Sequence, residues 1–186
     1  MFLLINFVAF QVAWLSSVIG GAQQMPWLGP LAVLGALLLH FKAARRPLEE
    51  FMLIMSCAVI GAAFDSFLVI SGWVQYSSGL FNAMMAPYWI ITMWMLFATT
   101  LNVSMRWLRG NPKLAALFGA FGGPTTYIAG EKLGGIELTH PVAALIALGI
   151  GWAVMMPILL RLSATFDGMA REPALRKVWV AERQEW

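Results

Sequence analysis

One carboxyl group stands inside a run of apolar residues: Asp65, in GAAFDSFLVISG. Ala58, Gly61, Ala62 and Asp65 recur at helical spacing on one face, so a neighbouring helix can approach the carboxyl group closely. A carboxyl at depth in a bilayer costs roughly 2.5–3.5 kcal/mol on insertion scales, needs a partner or a proton, and is by default read as functional. The plain alternative is a hydrogen-bonded Asp that only ties its helix to its neighbours.

Other polar groups fall at the same level. Helix 3 is expected to run outward, which puts Asp65 about seven residues, or roughly 10 Å, below its outer end. Thr92 and Trp94 of helix 4, Ser16 and Ser17 of helix 1, and Thr125, Thr126 and Tyr127 of helix 5 lie at similar depth, with Gln11 somewhat deeper. The candidate ligand-binding set is Asp65, Gln11, Ser17, Thr92, Trp94, Thr126 and Tyr127, enclosing a small cavity open to the periplasmic side or outer leaflet. The convergence rests on depth, because the sequence carries no azimuthal packing. His140, which opens helix 6 on the outside, is a more distant candidate base.

A second polar set, Asn6, Ser56, Asn102 and Arg106, lies in the inner half, with His40 near the inner end of helix 2. Arg106 is expected to snorkel to lipid headgroups, and Arg106 with His40 forms the candidate headgroup site. Within Pro87 to Trp107, Thr92, Met95, Thr99, Asn102 and Arg106 make one stripe that should face protein. Trp89 and Trp107, five turns apart, should anchor that helix at opposite membrane surfaces. In FGAFGGPTTYIAG, Pro124 removes a backbone bond and frees the carbonyl of Ala120, and the glycines permit a bend that either lines a site or simply packs closely.

Several chemistries are poorly supported. Two histidines at opposite surfaces, one cysteine (Cys57) and no HExxH give no metal set, and no metal or cofactor is expected. The glycine-rich stretch lies inside a span, without the strand that a nucleotide-binding loop needs before it. No nucleophile elbow occurs.

The elements that must position these residues follow from composition. The chain has 186 residues, 60% hydrophobic and 11% charged, where a soluble domain carries about 25% charge. It reads as an all-α polytopic membrane protein, a six-helix transmembrane bundle over 1–163. Spans fall at about 2–22, 26–42, 50–72, 87–107, 113–130 and 140–161, each near the roughly 20 residues a bilayer requires. The first lacks the basic n-region of a signal peptide and is expected to be retained. Residues 164–186 form a short basic amphipathic tail, with Leu175, Trp179 and Trp186 at helical spacing. Pro26, Pro87 and Pro141 are expected to open helices 2, 4 and 6, and Pro47 and Pro112 to interrupt the turns before helices 3 and 5.

All 12 basic residues but Lys132 lie on one side of this arrangement, which places both termini in the cytoplasm. A pI near 9.4 does not imply nucleic acid, because the charges sit in short clusters between apolar runs. Comparison of the two halves reveals no convincing inverted repeat of the transporter kind.

The pieces NFVAFQVAWLSSVIGG with PWLGP, FDSFLVISG, APYWIITMWMLFATTLNVSMRWL and GAFGGPTTYIAGEKLGG, in that order, resemble a family of bacterial inner-membrane proteins, domain of unknown function 2878. The resemblance covers most of residues 5–136 and implies a multi-pass inner-membrane protein without implying an activity. It also implies genomic company with lipid-modifying enzymes, an association rather than a mechanism. The expected role is a non-catalytic or weakly catalytic subunit in lipid modification. It would hold a fatty acyl or isoprenoid chain, with 9 Trp and 12 Met supplying adaptable walls. Expected partners are membrane lipid and a lipid-modifying enzyme or another membrane subunit. The rival expectations are a proton-coupled transporter or exporter using Asp65, and a structural subunit of a membrane complex.

Overall fold

The computed structural model describes residues 1–170. Six helices account for most of them: α1 (Phe2–Ala22), α2 (Leu28–Ala43), α3 (Pro47–Ile70), α4 (Tyr88–Leu101), α5 (Pro112–Lys132) and α6 (Pro141–Thr165). The protein is all-α. Proline sits in the first turn of α3, α5 and α6, where its missing N–H and preset φ suit a helix start. Pro47 and Pro112 therefore open helices rather than interrupt turns. Pro87 is the N-cap of α4, and Pro26 precedes α2 by two residues. Asn111 caps α5 by accepting a 3.0 Å hydrogen bond from the Leu114 N–H.

Three helices, α1, α3 and α6, are long and apolar enough to cross a membrane, and the chain is a membrane protein. Their outward faces carry large apolar side chains, among them Val12, Val59 and Ile150. The shorter α2 and α4 are also apolar.

α4 is the axis of the bundle. It packs on α1, α2, α3 and α6, and every residue from Tyr88 to Leu101 is buried or half-buried. Of the expected protein-facing stripe, Thr92, Met95 and Thr99 lie on α4 and are buried or half-buried, whereas Asn102 and Arg106 lie beyond its end. α4 is also shorter than expected: it ends at Leu101, and turns through residues 102–105 lead into a 3-10 turn over Arg106–Leu108. Trp89 and Trp107 consequently do not share a helix. Trp89 is fully buried and donates to the Ser78 carbonyl at 2.9 Å, whereas Trp107 is exposed beyond the break.

α5 packs along α6, α1 along α2, and α3 along α4. At one end, two short strands, β1 (Gln75–Tyr76) and β2 (Ile136–Glu137), pair antiparallel with Tyr76 opposite Ile136. This ribbon joins the α3–α4 and α5–α6 connections, where no strand was expected. Ser77 and Ser78 on the same connection donate to the Gly21 carbonyl at 2.8 and 2.7 Å, closing the C-terminus of α1. At the opposite, arginine-rich end, α6 passes the expected boundary at 163 and runs to Thr165. Residues 166–170 then turn back, and the Gly168 carbonyl accepts from the Arg45 and Arg46 backbone N–H groups at 2.9 and 3.1 Å. The expected helical pattern of Leu175, Trp179 and Trp186 lies outside the described residues.

Candidate functional site: a carboxyl group behind an aromatic cavity

Asp65 projects from α3 toward the middle of the bundle and is fully buried. Its Oδ1 accepts from the Tyr76 hydroxyl at 2.6 Å and from the Tyr127 hydroxyl in a shorter bond. Its Oδ2 accepts from Trp94 Nε1 at 2.6 Å. Four elements, α3, β1, α4 and α5, therefore meet on one side chain. Among the described residues no Lys, Arg or His pairs with it.

Gly61 makes the Trp94 bond possible. One turn before Asp65, its missing side chain leaves the place that the Trp94 ring occupies. Trp94 in turn stacks on Trp152 of α6, with centroids 4.8 Å apart and planes 14° from parallel. Trp152 fits against α5 because Gly119 and Gly123 lack side chains there: a Cβ at either position would come within 2.3 Å of it. Trp152 Nε1 is buried without a partner among the described residues.

In front of this stack is a cavity of about 240 Å³. Trp14, Trp94, Phe97 and Trp152 give it aromatic walls, Met93, Met105 and Met156 add flexible ones, and Tyr127 and Asp65 stand at its polar end. α1 forms one side and α5 the other. These two helices pack on different partners and leave a cleft between them, with Phe118 and Thr126 exposed at its rim. At the ribbon end Gly135 packs against the Val18 carbonyl and closes the cleft. The lining from Phe118 to Tyr127 spans ten residues of α5, roughly 14 Å from first to last. The volume exceeds the roughly 150 Å³ of an apolar cavity that holds benzene and falls short of the roughly 300–1,000 Å³ of drug-sized pockets. It suits a segment of one hydrocarbon chain.

Of the residues selected by depth, Asp65, Trp94 and Tyr127 come together and Thr126 reaches the rim, bonded to the Gly122 carbonyl of its own helix at 2.8 Å. Gln11 is exposed on α1 and does not line the cavity. Ser17 is buried toward α2, where it packs against Gly29 and donates to the Ala13 carbonyl at 2.8 Å. Thr92 donates to the Trp89 carbonyl at 3.0 Å and does not line the cavity. Depth put Ser17 and Thr92 at the right height but on the wrong side of their helices. His140 is the exposed N-cap of α6.

The expected headgroup pair is likewise redirected. His40 is buried, and its Nε2 lies 2.8 Å from Oε2 of the fully buried Glu50. Because a carboxylate only accepts, Nε2 is assigned the proton. Glu50 Oε1 accepts from Asn102 Nδ2 at 2.6 Å, and Asn102 Oδ1 accepts from Arg109. Arg109 donates to Asp167 at 2.7 Å and to the Ser163 carbonyl at 2.9 Å, while Arg106 donates to both Asp167 oxygens at 2.5 and 2.6 Å. Arg106 is thus committed to a carboxylate. Burial would raise the Asp167 carboxyl, but the Arg109 hydrogen bond and the two guanidinium charges outweigh it and hold the group below its usual range.

Sequence reasoning missed Tyr76, Glu50, Arg109 and Asp167. Glu50 carried a signal: it follows Pro47 by three residues, in a first turn that favours a carboxylate, with His40 at the end of the preceding helix. Tyr76, in an uncharged connection without periodicity, carried none.

A helical membrane protein with a side cavity backed by a hydrogen-bonded carboxyl group is the class that fold and site define. The chain belongs to the family described as Protein of unknown function (DUF2878), which it matches over residues 3–158. No curated protein and no solved structure matches it.

Proposed function

We propose that this is a multi-pass protein of the bacterial inner membrane, crossing six times with both termini in the cytoplasm. In this reading it binds a fatty acyl or isoprenoid chain in the cleft between α1 and α5, as an accessory subunit in membrane lipid modification. The observation that carries the reading is the cavity itself. It is narrow, almost wholly apolar, roughly 14 Å long, and open where Phe118 is exposed at its rim, between helices that carry exposed apolar side chains such as Val12 and Phe121 elsewhere on their surfaces. A chain could pass into it sideways from the hydrocarbon layer without crossing water. Among the described residues, Lys42, Arg45, Arg46, Arg106, Arg109, Lys113 and Arg161 flank one end of the bundle and only Lys132 the other, which supports the orientation.

Proton-coupled transport has less support. Both oxygens of Asp65 already accept hydrogen bonds, and the Glu50–Asn102–Arg109–Asp167 network occupies the end through which a solute would have to leave. Gentle extraction into nanodiscs followed by mass spectrometry of co-purified lipid tests the proposal. Enrichment of one chain class over bulk membrane, reduced by filling the cleft at Gly122, is the expected result. A lipid profile identical to bulk would overturn it.

A further inference from the structure

Asp65 is held by two phenols and an indole, which orient a carboxylate without supplying a positive charge. Among the described residues no cationic side chain pairs with it. The other buried carboxylates are treated differently: Asp167 faces two guanidinium groups and Glu50 faces His40. Three donors converge on its two oxygens, as they would on an ionised carboxylate, and the negative potential of that form falls on the adjoining cavity, where low-polarity surroundings screen it weakly. The walls are aromatic as well, with Trp14, Trp94, Trp152 and Phe97 lining the cavity, and a cation seated over any exposed ring face would gain from the quadrupole. Asp65 stands at the polar end beside Tyr127 and Trp94 with no exposed surface of its own, so recognition would act through its field.

We propose that the polar end of the cavity selects a positively charged head, an alkylamine or quaternary ammonium group, on a single-chain amphiphile whose tail lies along the α1–α5 cleft. This rests on the chain-binding reading and adds to it the sign of the charge. Both a free long-chain amine and the choline or ethanolamine head of a membrane lipid share this chemistry.

The test titrates the protein in nanodiscs with four probes of equal tail length, read by intrinsic tryptophan fluorescence: dodecyltrimethylammonium, dodecylphosphocholine, dodecanol and dodecanoate. The expected result is saturable binding of dodecyltrimethylammonium roughly tenfold tighter than dodecanol, with dodecanoate weakest. Asp65→Asn should reduce that preference to about twofold or less while dodecanol binding persists. Dodecylphosphocholine matching the cation would assign the site to a lipid head, and weaker binding would assign it to a free amine. Equal affinity for all four would overturn the charge inference and leave chain binding standing. Tightest binding by dodecanoate would also overturn it and point to the unpartnered Trp152 Nε1 instead. No saturable binding by any probe would overturn both readings. If Asp65→Asn does not fold, the wild-type order of affinities decides.

Discussion

Gly61 and Trp94 occupy what amounts to one place: a Cβ built on residue 61 would lie 1.9 Å from the Trp94 ring. The ring, rather than a residue of α3, fills the surface one turn before Asp65, and from there its Nε1 reaches the carboxylate. Gly61→Ala should therefore push the indole off Asp65 and cost about 1–3 kcal/mol, as overpacking a close-packed contact does. Thermal unfolding in detergent would record the loss, and Trp94 emission should shift as its N–H partner is withdrawn. An unchanged melting temperature would contradict the fit described here.

The glycines of α5 should separate into two groups. A side chain at Gly122 meets only the edge of Phe118, at 3.9 Å, and then enters the cleft. Gly122→Leu should fold with stability unchanged or raised by up to about 1 kcal/mol, since leucine is the better helix former, while blocking chain binding. Gly123→Ala drives a methyl group into Trp152 and should destabilise by about 1–3 kcal/mol. Comparing melting temperature with co-purified lipid for the two variants checks both halves of this expectation.

At the arginine end, Glu50 joins His40 to Asn102 with no exposed surface. Removing one partner of a buried pair leaves the other uncompensated, so Glu50→Ala should cost about 3–5 kcal/mol. Replacing both partners by apolar residues, His40→Leu with Glu50→Met, should recover much of the loss. A double-mutant cycle on unfolding free energies measures the difference, and additive effects would show that the two groups act independently.

Asp167 sets the pH dependence at the same end. Its carboxyl is held below the ordinary value of 3.8, so the folded protein binds that proton less readily than the unfolded chain. The stability it contributes is complete above the unfolded value and is lost as pH falls through the depressed folded one. Wild-type protein should lose stability on acidification below about pH 4 through this group. Asp167→Asn should be weaker at neutral pH and show a flatter acid limb. Melting temperature followed from pH 7 to pH 3 discriminates the two profiles.

Much of the scaffold was legible because its signals are local. The apolar run alone placed the start of α5 within a residue of Pro112, and a first-turn proline helped place that of α6 within a residue of Pro141. The break in α4 was not legible. Leu-Asn-Val-Ser-Met-Arg-Trp can continue a helix, and what ends it at Leu101 is tertiary: Asn102 is engaged by Glu50, Phe166 and Arg109, two of them more than 50 positions away. Depth along a helix could be read from topology, and it gathered Asp65, Trp94 and Tyr127 correctly. Rotation about the helix could not, which is why Ser17 meets α2, Thr92 bonds to its own helix and Gln11 is exposed outside the lining.

The enclosure of α4 bears on how the molecule is assembled. Its 14 residues extend only about 21 Å, less than the roughly 30 Å of a hydrocarbon layer, and every side chain from Tyr88 to Leu101 is buried or half-buried. Such a segment gains little from oil and nearly everything from its neighbours. It cannot be a late arrival sliding in from the periphery: α1, α2, α3 and α6 must gather around it, so a truncation that omits any one of them strands the centre of the structure.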